Sequence, residues 1–132
     1  IAGADAAVIV TTPEVASVRD ADRVIGLLEA ADLRQPRLVV NRLRPEMVRR
    51  GDMLSIQAVM DVLGLDLLGV VPEDDSVVVC TNRGEPVVSY AGSRAGTAFL
   101  DISRRLTGEE VPLMSWNGQM GLLGRLKKII RI

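Results

Sequence analysis

Three apolar, β-branched stretches, separated by helical patterns, organise the chain. Residues 6–12 read AAVIVTT, a continuous apolar run of the kind found in strands covered on both faces. Thr12-Pro13-Glu14 then predicts a helix start, with a hydroxyl N-cap, proline at the first helical position and an acid in the first turn. In the helix that follows, Val18, Ala21, Ile25 and Leu28 fall on one side and Arg19, Asp22 and Arg23 on the other. RLVVN at 37–41 predicts a second buried strand, and the polar stretch RLRPEMVRRGD after it reads as a loop. Ser55 is placed to cap a second helix, with Leu54 and Val59 as a hydrophobic staple and Gly64 as its stop. LLGVV at 67–71 is a third strand, ending at Pro72, and SVVVC at 76–80 reads as a further strand from its β-branching alone. Residues 92–107 predict a last helix in the body of the chain. Its apolar face would hold Ala95, Ala98, Phe99, Ile102 and Leu106, and Gly108 would end it.

Strand–helix–strand–helix–strand alternation is the pattern of an α/β fold: a parallel sheet with helices on both faces. Such sheets bury both faces and usually need five or more strands. The first strand here is among the most apolar and belongs in the middle of a sheet, so its neighbours are expected elsewhere. The pattern is that of half a domain. The chain opens at Ile1, mid-pattern, which fits the tail of something longer.

Composition narrows the chemistry. Of 132 residues, 48 % are hydrophobic and 25 % charged, an ordinary globular balance. Aromatics are only 2 %, so the core must be Val, Leu, Ile and Ala. No histidine is present, which excludes histidine triads, histidine metal sites and histidine proton shuttles. The single Cys80 excludes an internal disulfide and a CxxC site, and is expected as a small core residue. A net charge of −1 argues against nucleic acid as a partner. No apolar run reaches the ~18 residues of a membrane span, and nothing at the start resembles a signal peptide, so a soluble protein of a reducing compartment is expected.

In open parallel sheets, ligands sit at the carboxyl ends of the strands. The strands end in Thr11-Thr12-Pro13-Glu14, Asn41-Arg42 and Pro72-Glu73-Asp74. Asn41 carries an amide that can read a purine edge, or it simply forms the turn after a strand. Pro72, Glu73 and Asp74 either wall a base pocket or start the next element. GxxxxGK[ST] is absent, so this chain by itself does not grip a nucleoside triphosphate in the P-loop manner.

Charge is unevenly spread. Arg125, Lys127, Lys128 and Arg131 take four of the 16 basic groups, with no acid in residues 120–132, and the rest of the chain is acidic. The closing MGLLGRLKKIIRI places Leu122, Leu123, Leu126, Ile129 and Ile130 within about 120° of arc on a helical wheel, opposite those cations. This is the composition of an interfacial membrane helix, too short to cross a bilayer, with Trp116 placed for the headgroup level. A surface helix docked on the parent domain is the alternative.

The run VIVTTPEVASVRDADRVIGLLEA, then LVVNRLRP, GDMLS and LLGVVPEDDSVVVCTNRGEPVV, closely resembles the carboxyl-terminal half of the MinD family. These are septum-site-determining ATPases of the deviant P-loop group that includes the ParA proteins. The resemblance covers about residues 1–108; residues 109–119 would be a linker and 120–132 the amphipathic membrane helix. It implies a P-loop NTPase fold whose P-loop lies outside this chain, with ATP and Mg2+ bound by the intact protein and no hydrolysis by this half alone. Asn41, Arg42, Pro72, Glu73 and Asp74 would then frame the adenine. Glu14 would reach towards the ATP of a partner in an ATP-bound homodimer. Ser17, Arg19, Asp20 and Asp22 would meet MinC- or MinE-like regulators. The resemblance makes SVVVC helical, against its β-branching. It further implies an anionic membrane surface as partner and placement of the cell or plastid division ring, from the cytoplasm or plastid stroma. A non-catalytic, membrane-tethered adaptor and a ParA-like ATPase with other cargo are the alternatives.

Overall fold

The computed structural model describes residues 3–33 and 35–114. Val8–Thr11 forms β1, followed by α1 (Val15–Ala30), β2 (Arg37–Leu43), α2 (Pro45–Arg50), α3 (Ile56–Leu63), β3 (Leu67–Pro72), α4 (Asp75–Arg83), one 3-10 turn at Val87–Ser89, and α5 (Arg94–Leu106). The strands are parallel and lie in chain order with β2 in the centre. Val8 pairs with Arg37 and Thr11 with Val40; on the other side Val40 pairs with Val70 and Leu43 with Pro72. The β2–β3 register slips between Val40 and Leu43, the position of an irregularity in β2.

Alternation along β1 and β2 divides the core in two, and a register shift at Leu38/Val39 puts Leu68 and Val70 of β3 on opposite faces. Ile9, Leu38, Val40 and Val70 join Val18, Ile25 and Leu28 of α1 and Val59 and Leu63 of α3 on one face. Val39, Leu68 and Val71 meet Ala95, Ala98 and Ile102 of α5 on the other. Right-handed crossovers that step the same way along a sheet place their helices on one side, which is why α1 and α3 share a face. The fold class expected from the pattern, a parallel sheet with helices on both faces, is therefore what the chain forms. α5 approaches β3 closely at Gly69, where an added methyl group would run into Ile102.

The local signals hold in most places. Ser55 caps α3 by accepting a hydrogen bond from the amide of Ala58 at 3.1 Å, and Gly64 closes the helix. SVVVC lies in helix α4, not in a strand: Asp74 caps it and Gly84 ends it, and those brackets outweigh the β-branching. Cys80, on that helix, is buried.

Three details differ from the pattern. The N-cap of α1 is Glu14, two residues beyond Thr12. The Thr12 hydroxyl instead donates to the Ser17 hydroxyl at 2.8 Å, and the carbonyl of Pro13 is taken by the amide of Leu54 at 3.1 Å, which keeps the chain out of the helix. The stretch read as a loop contains α2, with Pro45 at its start, Glu46 in its first turn and Gly51 in the left-handed region at φ 80° as its stop. On α5, Ala95, Ala98 and Ile102 are buried, but Phe99 and Leu106 are exposed. The helix packs chiefly on β3, and the flanks of its apolar stripe are left open.

β1 is open on its outer edge. Ile9 and Thr11 are buried, whereas Val8 is 41 % and Val10 60 % exposed, on the face that α5 covers over β3. An apolar parallel strand with an open edge is the arrangement expected of a sheet that continues beyond the chain.

Candidate functional site

The carboxyl ends of the three strands bring Glu14, Asn41, Arg42, Pro72, Glu73 and Asp74 to one end of the sheet. At the centre is Arg42, a non-glycine residue with φ 58°, in the left-handed region. It sits where the β2–β3 register slips, and the side-chain oxygen of Asn41 accepts a hydrogen bond from its amide at 2.9 Å. That conformation costs about 1 kcal/mol for a residue with a Cβ, and such residues cluster at functional sites. It turns the guanidinium across the strand ends. There Nε donates to Oε2 of Glu73 at 2.9 Å, an exposed ion pair. The hydrogen bond with Glu73, then that carboxylate's charge, raises the pKa of Arg42 above its ordinary value, and Glu14 acts in the same direction. The amide of Glu73 donates to the carbonyl of Leu43 at 2.9 Å, fixing the loop after β3 to the end of β2.

Asp74 is held differently. Its Oδ1 accepts from the amide of Ser76 at 2.9 Å, and its Oδ2 accepts from the Ser93 hydroxyl at 2.9 Å and the amide of Ala95 at 3.0 Å. Those donors, the Ala95 amide foremost, hold its carboxyl far below the usual carboxylate range. Ser93 and Ser76 were not singled out in the sequence. Ser93 carries a visible signal, a serine before an Ala- and Leu-containing helix, and it caps α5 by accepting from the amide of Gly96 at 2.9 Å.

On α1, Arg19, Asp20 and Asp22 are exposed, and Asp20 accepts from Arg23 at 3.2 Å. Ser17 is half-buried and engaged by Thr12. The expected membrane residues Leu122, Leu123, Arg125, Leu126, Lys127, Lys128, Ile129, Ile130 and Arg131 lie outside the described residues. Among the described residues, no three Asp, Glu, Cys or His side chains are grouped to hold a metal ion. An amide such as that of Asn41 can read the base end of a nucleotide. No glycine-rich lysine loop for its phosphates occurs in the chain.

No family model matches the chain. Among curated proteins it is similar to the septum site-determining protein MinD of Synechocystis, with 46 % identity over 130 residues that cover 97 % of this chain and 49 % of that protein. It is also similar to MinD of Bacillus subtilis, with 43 % identity over 134 residues, 100 % of this chain and 50 % of that protein. Among solved structures, a MinC:MinD cell division protein complex from Aquifex aeolicus superposes with a TM-score of 0.84 at 49 % identity, over 87 % of this chain and 48 % of that one. MinD from Pyrococcus horikoshii, complexed with Mg-ADP, superposes with a TM-score of 0.65 at 28 % identity, over 74 % of this chain and 39 % of that one. The chain thus spans about half the length of the relatives it matches. Identity of 43–46 % over nearly the whole chain, on the same fold, assigns it: the chain belongs to the MinD family of septum site-determining proteins, within the ParA/MinD P-loop NTPases.

Proposed function

We propose that this chain is the carboxyl-terminal half of an ATPase that binds ATP with Mg2+, dimerises on the membrane and places the division ring of a cell or plastid. The reading assigns base recognition to this half, through Asn41, Arg42, Pro72 and Glu73, and phosphate and Mg2+ binding to the other half. Glu14, beside Arg42, would face the nucleotide of the second protomer. The exposed face of α1, with Arg19, Asp20 and Asp22 and with Ser17 at its root, would receive MinC- or MinE-like regulators. The protein would act from the cytoplasm or plastid stroma, on the inner face of the membrane.

Residues 109–119 would be the linker and 120–132 the anchor. Each aliphatic side chain gains ~1.5–3 kcal/mol on full burial, and each cation near an anionic surface adds ~1 kcal/mol. Ordering the helix costs about 1–2 kcal/mol per residue, so a single copy binds weakly. Two copies on one dimer make the second attachment intramolecular and raise avidity by roughly 10²–10⁴. Dimerisation driven by ATP would thereby recruit the protein, and hydrolysis would release it.

The observation that carries the nucleotide reading is the left-handed Arg42, turned across the strand ends beside the amide of Asn41 and paired with Glu73. In the full-length protein, Asn41→Ala is expected to weaken ADP binding about ten-fold, through the loss of one amide's hydrogen bonds to the base. Titration with a ribose-labelled fluorescent ADP measures it. Equal affinity of variant and wild type would overturn the assignment of Asn41 to the base.

A further inference from the structure

The loop that carries Glu73 is fixed from behind by a small, fully connected polar network. Ser93 is only 5 % exposed. Its hydroxyl donates to Oδ2 of Asp74 at 2.9 Å and accepts from the Ser76 hydroxyl at 2.7 Å and from the Gly96 amide at 2.9 Å. The carboxylate of Asp74 in turn receives the amide of Ser76, in the first turn of α4, and the amide of Ala95, in the first turn of α5. One negative group therefore serves the positive ends of two helices whose starts are far apart in sequence. No buried side-chain nitrogen or oxygen among the described residues lacks a partner. The network is thus complete, and a complete network holds its members in one arrangement.

Glu73 lies between this network and the strand ends. Its amide donates to the carbonyl of Leu43 on one side, and its carboxylate meets Arg42 in an exposed ion pair. Only Glu73 separates Asp74, the N-cap of α4, from Pro72, the last residue of β3. From this geometry we infer that Ser93 and Asp74 are positioning residues. They hold Glu73 at the distance at which it fixes the Arg42 guanidinium, and so set how closely the strand-end pocket fits a purine base. This rests on the base-binding reading above, and assigns Asp74 to support of the pocket rather than to its lining. Neither residue needs to touch the nucleotide.

The test uses the full-length protein with Ser93→Ala, Asp74→Asn and, as a direct probe of the pocket, Arg42→Ala. The readouts are kcat and KM for ATP and for GTP, together with Tm. Loss of one well-made hydrogen bond behind the loop is expected to raise KM for ATP about five-fold in Ser93→Ala. The preference for ATP over GTP should fall by a similar factor, while kcat at saturating ATP stays within about two-fold. Asp74→Asn keeps the size of the side chain but places an NH2 group or a single acceptor where two are needed, and is expected to shift the same two quantities in the same direction. A lowered Tm with unchanged KM and unchanged ATP preference, in whichever of the two variants folds, would overturn the positioning role and leave the network a purely structural one. If Arg42→Ala shifts KM and preference while neither Ser93→Ala nor Asp74→Asn does, the positioning role fails and the pocket stands. If Arg42→Ala shifts neither, the base pocket itself is misplaced and the inference falls with it.

Discussion

Asp74 takes three hydrogen bonds on two oxygens, and each of them is lost or weakened when the carboxyl is protonated. Its pKa in the folded protein lies below its unfolded value, so the sign of its contribution follows directly. The folded state gains stability above the unfolded carboxylate value of about 4. As the pH falls below that value the unfolded chain takes up the proton first, and the gain is lost as the pH falls on through the depressed folded pKa. Asp74→Asn is therefore expected to lower Tm at pH 7 and to show a smaller further loss of Tm between pH 5 and pH 3 than the wild type. Parallel acid dependences in the two proteins would mean that the carboxylate's charge contributes nothing. Neither cap of this network was singled out as such in the sequence: Ser93 precedes a helical run, whereas the β-branching after Asp74 reads as a strand. That one carboxylate serves both helices was not legible, because no local signal links residues that meet only through the packing of α5 on β3. The left-handed Arg42 was equally hidden: sequence patterns announce that conformation with glycine or asparagine, not with arginine.

Where apolar periodicity is strong, the elements follow from it. Val18, Ala21, Ile25 and Leu28 are the buried row of α1, as their spacing requires. α2 has no buried residue, so periodicity is silent there, although Pro45, Glu46 and Gly51 mark its start and stop. Phe99 and Leu106 share α5's stripe with Ala95 and Ile102, yet are exposed on a helix that packs chiefly on β3. The end of α5 adds a second device. Arg105 donates from Nε to the carbonyl of Val111 at 2.8 Å, from Nη2 to that of Pro112 at 2.8 Å, and from Nη1 to that of Leu68 at 3.1 Å. Met114 packs against both core clusters. The segment after α5 has no regular structure through Met114, but this guanidinium ties it to β3. Removing three such hydrogen bonds with Arg105→Ala is expected to raise the rate of chymotrypsin cleavage after Leu113 at least about ten-fold, by freeing the segment locally. Limited proteolysis with mass spectrometry reads this, and an unchanged rate would show that apolar packing alone holds the segment.

Taken as a whole, the molecule is a two-sided core built on three of the strands of a larger sheet. The exposed Val8 and Val10 on β1 mark the edge where the rest of the sheet belongs, and the relatives are about twice as long. The α/β class, the parallel order and the strand-end cluster were legible because buried parallel strands read as unbroken apolar runs with polar residues at their ends. Family membership was legible in motifs running through all three strands. In the proposed function, the basic, apolar segment at 120–132 would link nucleotide state to place in the cell. In that function, ATP-driven pairing of two such segments attaches the full-length protein to the membrane. Co-sedimentation with vesicles of anionic phospholipid, in ATP and in ADP, measures that claim for the wild type and for Leu126→Glu/Ile130→Glu. At least about ten-fold more wild-type protein is expected in the pellet with ATP than with ADP, and the double variant in the supernatant with either nucleotide. Pelleting of the double variant in ATP to the wild-type extent, or equal pelleting of the wild type in ATP and ADP, would contradict it.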